Sequence, residues 1–135
     1  MANSGKGTFQ PDSDVHISFE DQQKINRFAQ LNAKVDELKD ELRVCQNDMR
    51  NLEEACDELA LIDENTYVPY LHGEVFISQS VEDTLSSLEE AKIERKEDIN
   101  TLERKCEELK SQMGELKANL YGKFGTHINL ETEEE

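Results

Sequence analysis

From Phe28 the apolar positions run Phe28, Leu31, Val35, Leu38, Leu42, Cys45, Met49, Leu52, Cys56 and Leu59, alternating steps of three and four without a miss. A mean repeat of 3.5 residues keeps one stripe of a helix turned to a partner over its whole length, as a coiled coil requires. Neither Gly nor Pro interrupts residues 19–62. Ser18 is suited to cap the start, and Glu20 and Asp21 fall in the first turn, where the helix dipole favours anions. The pattern predicts a helix over about residues 19–62, roughly 65 Å long at 1.5 Å per residue. A second series starts with Val81, Leu85 and Leu88. It continues in the same register through Ile99, Leu102, Cys106, Leu109, Met113, Leu116 and Leu120. Ser80 caps this second helix, expected over about residues 81–122, and Gly122 and Gly125 mark its end. Lys92 and Arg95 take the stripe positions between Leu88 and Ile99. Their stems are expected along the seam with the charges outward, in preference to a local shift onto Ala91 and Ile93.

Residues 63–80, DENTYVPYLHGEVFISQS, have no helical period. Aromatic and β-branched runs on either side of a glycine predict a β-hairpin over about residues 66–78. Pro69 lacks an N–H for a ladder, so it belongs at a strand start or edge. The fold class expected is mainly α: two long helices in an antiparallel coiled-coil hairpin, joined by a short β-hairpin. Each helix has a stripe for the other, but nothing remains to cover a two-stranded ribbon, which is marginal alone in water. Apolar groups point to both of its faces, Phe76 opposite to Val75 and Ile77, and Tyr67 opposite to Val68. Its edges also present unpaired backbone groups. The hairpin is therefore expected to join strands of other chains in a shared sheet or barrel.

A second surplus lies at the free ends of the helices. Phe19, Ile25, Phe28, Leu120, Tyr121, Phe124, Ile128 and Leu130 gather there, and Ile25, Tyr121 and Phe124 fall off the stripe. Exposed apolar groups on a highly charged chain suggest a surface for apolar ligands. The alternative is that they staple the helix ends together.

Composition narrows the function. Lys+Arg 15 against Asp+Glu 31 gives a formal net charge of −16 in 135 residues, which disfavours nucleic acid as a partner. Residues 19–63 hold twelve acids and six bases, and the sequence ends in an acidic tail at 131–135. No apolar run approaches a membrane span, and MANSGKGTFQPDSD lacks the apolar centre of a signal peptide, so a soluble intracellular protein is expected. Residues 1–17 read as a disordered tail and residues 18–130 as one domain. Cys45, Cys56 and Cys106 are odd in number and too widely spaced for a metal clip, and His16, His72 and His127 are scattered. The cysteines are expected to be reduced thiols packed as small apolar groups, with no metal and no cofactor. No phosphate-binding loop, dinucleotide fingerprint or nucleophile elbow occurs, and adjacent carboxylates such as Glu53 and Glu54 do not share a helix face. An enzyme is not expected.

Three strings carry a resemblance: FEDQQKINRFA at 19–29, YVPYLHGEVFIS at 67–78 followed by LEEAK at 88–92, and LYGKFGTHINLE at 120–131. Together they resemble the prefoldin family, in its single-hairpin β-type class, over nearly all of residues 15–131. The resemblance implies a heterohexamer of two α-type and four β-type subunits, whose hairpins complete a double β-barrel from which six coiled coils hang. It implies that the distal tips hold unfolded clients, notably actin and tubulin, and pass them to the cytosolic chaperonin without ATP. On that basis Tyr67, Val68, Tyr70, Val75, Phe76 and Ile77 would serve subunit assembly. Phe19, Ile25, Phe28, Leu120, Tyr121, Phe124 and Ile128 would contact clients. A cytoplasmic location is implied, with a nuclear pool allowed. The competing reading is a structural or tethering coiled coil, which needs the helices but not the hairpin.

Overall fold

The computed structural model describes residues 8–9 and 16–130. In order they form β1 (Thr8–Phe9), α1 (Phe19–Leu59), β2 (Tyr67–His72), β3 (Val75–Ser80), α2 (Val81–Phe124), a 3-10 turn (Gly125–His127) and β4 (Ile128–Asn129). The segment expected to be disordered thus includes the short strand β1, paired antiparallel with β4. Its other residues up to 15, and the acidic tail, lie outside the described residues. The chain divides into a terminal unit, Met1–Asp40 with Glu103–Glu135, and a hairpin unit, Glu41–Leu102.

Both helix starts are set by serine caps. Ser18 Oγ accepts the Asp21 N–H at 3.0 Å, and the Asp21 carboxylate accepts the Ser18 N–H at 3.4 Å. This is the reciprocal arrangement of a capping box. Ser80 Oγ accepts the Asp83 N–H at 3.1 Å. The other early amides of α2 are satisfied by the preceding loop, Val81 N–H by the Thr66 carbonyl and Glu82 N–H by that of Glu64. Where the pattern placed the end of the first helix near Ile62, α1 stops at Leu59. Leu61 and Ile62 bond only three residues back, a tightening of the last turn. In contrast, α2 runs through Gly122 to Phe124. Gly125, at φ +59°, takes the left-handed conformation that stops it.

In the terminal unit, Phe28, Leu31, Val35 and Leu38 of α1 are buried, as are Cys106, Met113 and Leu120 of α2. Leu109 and Leu116 pack against the same core. In the hairpin unit, Val81, Leu88 and Leu102 are buried. Leu42, Cys45, Met49, Leu52, Cys56, Leu59, Leu85 and Ile99 are half-buried. The stripe keeps its register past the two cations, since Ile93 is 60% exposed while Lys92 and Arg95 stay half-buried. Lys92 Nζ lies 3.2 Å from Glu89, and Arg95 lies 2.9 Å from Asp98 and 3.9 Å from Asp48. The hydrogen bond to Glu89 pushes the Lys92 pKa up against the effect of its desolvation. Beside them lies an open groove of about 350 Å³, lined by Asp48, Leu52, Ala91 and Arg95 among others. All three cysteines are free thiols, and desolvation raises the pKa of Cys56, favouring the neutral thiol.

Candidate functional site

The hairpin closes on a two-residue loop, Gly73-Glu74, with His72 opposite Val75, Tyr70 opposite Ile77 and Tyr67 opposite Ser80. Gly73 has φ +62°, and the following residue is not at positive φ, the pattern of a type II′ turn suited to the twist of a ribbon. Two-residue closure makes His72 and Val75 a hydrogen-bonded pair. Alternation then puts Pro69 and Ser78 in a non-bonded pair, so the missing N–H of Pro69 faces the outer edge of β2.

Period-two alternation divides the ribbon into two faces. One carries Tyr67, Pro69, Leu71, Phe76, Ser78 and Ser80; the other carries Val68, Tyr70, His72, Val75, Ile77 and Gln79. Within the second face, His72 Nε2 and Gln79 Oε1 are 2.7 Å apart, and Gln79 Nε2 donates to Thr84 Oγ1 at 3.4 Å. Tyr67, Leu71, Val75, Phe76 and Ile77 are all exposed, from 46% for Ile77 to 68% for Phe76, while Val68 and Tyr70 are half-buried. Each large side chain would contribute roughly 1.5–3 kcal/mol on full burial. The expected two-faced apolar ribbon is present. Leu71, outside the residues expected to serve assembly, is a further exposed apolar member of the ribbon.

Of the two readings of the helix ends, an exposed apolar surface and a staple, burial favours the staple for all but Phe19. The residues do come together, but they form a covered core. Ile25, Phe28, Leu120, Phe124, Ile128 and Leu130 are all buried in one cluster, with Tyr121 half-buried against it. Phe19 stands apart at 75% exposure. The cover comes from the segment after α2. Gly125 turns the chain, Ile128 and Leu130 insert into the cluster, and Leu130 N–H donates to Tyr121 Oη at 2.9 Å. Two helices cannot cover the off-stripe side chains Ile25 and Phe124; a third segment does.

One polar pair closes the same unit. Asp21 is buried, and its carboxylate meets Lys123 Nζ at 2.6 Å. The hydrogen bond from Lys123 lowers the Asp21 pKa, outweighing the desolvation that would raise it; Ser18 assists. Lys24 Nζ also donates to Asn119 Oδ1 at 3.0 Å. The Ser18-to-Asp21 spacing signals the cap, but nothing local signals Lys123 as a partner. Among the described residues, no group of three or more His, Cys, Asp or Glu side chains is placed to hold a metal, and no helix is long and apolar enough to cross a membrane.

Paired long helices around one short antiparallel ribbon define a known chaperone architecture. The family model described as Prefoldin subunit matches residues 22–127, and the chain belongs to the prefoldin family of chaperone subunits. It is 46% identical over 134 residues to the probable prefoldin subunit 4 of Drosophila melanogaster, covering 99% of this chain and 97% of that one. It is 47% identical over 122 residues to prefoldin subunit 4 of Homo sapiens, covering 90% and 91%. The crystal structure of the prefoldin beta subunit from Thermococcus strain KS-1 matches with a TM-score of 0.73 over 79% of this chain and 94% of that one. At 17% identity, that likeness concerns the fold.

Proposed function

We propose that the chain is one subunit of a heterohexameric, ATP-independent co-chaperone, joined through its hairpin to α-type and β-type prefoldin subunits. The observation that carries this reading is the ribbon of residues 67–80, which exposes large apolar side chains on both faces. A tethering coiled coil has no use for such a ribbon, whereas a shared sheet consumes both its faces and its edges. The helix ends then serve unfolded or nascent proteins such as actin and tubulin, which the complex hands to the cytosolic chaperonin. The exposed Phe19 at the start of α1 supports that assignment. No group in this role needs a cofactor, and the net charge of −16 disfavours nucleic acid as a partner. The reading places the protein in the cytoplasm.

The test is the native mass of the complex purified from cells through this chain. A hexamer of distinct prefoldin subunits is expected, and the isolated complex should suppress aggregation of an unfolded protein without nucleotide. A homogeneous monomer, or a pair with a single helical partner, would return the chain to the tether class.

A further inference from the structure

We propose that the apolar groove between the helix ends is a binding site for extended apolar peptide segments, and that the chain's own residues 125–130 fill it until a client displaces them. The inference rests on the client-binding reading above and supplies its ligand class. The groove side consists of Ile25, Phe28, Leu120 and Phe124, and the filling side of Ile128 and Leu130; all six are buried in one cluster. A surface covered this completely cannot receive an unfolded protein as it stands, so access requires something to leave.

The segment that can leave is the one outside the helices. It is a single 3-10 turn, Gly125–His127, running into the short strand Ile128–Asn129, and it joins α2 through Gly125 at φ +59°, a conformation few other residues adopt at low cost. Its apolar residues sit at alternate positions, Ile128 and Leu130, with exposed Asn129 between them. This is an apolar-polar-apolar strand, the pattern that any unfolded hydrophobic segment can imitate. The backbone of Ile128 and Asn129 also pairs with Thr8 and Phe9, so an extended peptide in this place has an edge for strand addition as well as a groove for side chains. The tethered segment competes at high effective concentration, held by a two-residue strand pairing and two buried side chains. Exchange between self and client therefore needs no ATP.

The test compares the full-length complex with one whose chain stops after Gly125, using a labelled peptide of sequence GTHINLE and an aggregation assay. A segment docked nine-tenths of the time weakens apparent affinity about tenfold. The shortened complex is thus expected to bind the peptide about tenfold more tightly and to suppress aggregation more strongly. Ile128→Ser combined with Leu130→Ser in the full-length chain should reproduce both effects, and Phe28→Ser in the shortened chain should abolish peptide binding. Equal peptide binding by intact and shortened complexes overturns the proposal. So does unchanged or weaker suppression after shortening, which leaves client binding itself standing. Suppression absent from both complexes instead removes the client-binding reading.

Discussion

Asp21 and Lys123 meet at 2.6 Å, so the first turn of α1 and the last turn of α2 share an ion pair whose acidic member is buried. The Asp21 carboxyl lies below its ordinary value of 3.8 because the charged form gains the Lys123 hydrogen bond. A group with a lowered folded pKa contributes stability above its unfolded pKa and loses that contribution as pH falls through the folded one. The helix ends should therefore loosen in acid, below about pH 4. Asp21→Asn should destabilise them already at neutral pH and flatten that part of the acid dependence. Thermal melts of both forms from pH 7 to pH 3 check the difference, which isolates Asp21 from the other carboxylates. Ser18→Ala, which removes the cap but leaves the Asp21–Lys123 pair, is expected to cost about 1 kcal/mol.

Substitutions in the ribbon should separate assembly from helix formation. Phe76→Asp and Val75→Asp, on opposite faces, each place a charge where a shared sheet must be dry. Co-expression with partner subunits followed by size-exclusion is expected to show loss of the chain from the complex, with helicity by circular dichroism largely intact. A normal complex from either variant counts against a two-faced interface.

Gly73 offers a gentler probe. No side chain clashes at this position; a Cβ would meet nothing within 4 Å. The only obstacle is φ +62°, which costs an L-residue about 1–2 kcal/mol. Gly73→Val should lower occupancy of the complex at limiting subunit concentration, and Gly73→Asn should do so less.

The seam has a defect that can be repaired. Lys92 and Arg95 hold stripe positions and pair with the exposed carboxylates of Glu89 and Asp98, contacts worth about 0–1 kcal/mol each. Replacing both with leucine should raise the melting temperature of the complex by filling the open groove beside Leu52 and Ala91. A fall in melting temperature would mean that the Arg95 contact with Asp48 matters more than its 3.9 Å separation suggests.

Removing everything after Leu116 should preserve assembly, because residues 67–80 are untouched, but weaken suppression of aggregation by deleting Leu120 and Phe124. The loss should be partial, since the other subunits keep their helix ends. Turbidity of an unfolding client measures it.

The helices were legible because periodicity is a local property: the 3.5-residue repeat from Phe28 to Leu59 coincides with the buried and half-buried positions of α1. The ribbon was legible for the same reason, with Gly73 between two apolar runs. The fate of the helix ends was not. Ile128 and Leu130 make one turn of a period-two pattern, too short to distinguish a covering segment from a surplus of exposed groups. Asp21 reads locally as a capping acid and Lys123 as a last-turn base; their pairing depends on tertiary placement. Even Gly122 and Gly125 look alike in sequence, yet one continues the helix and the other stops it.

Hydrogen exchange of the backbone amides in residues 67–80 tests the central claim most directly, comparing the isolated chain with the same chain in its assembled complex. Fast exchange alone and strong protection in the complex are expected, because neighbouring strands complete the ribbon. Equal, strong protection in a soluble monomer would show a ribbon that is whole without partners and would contradict the account.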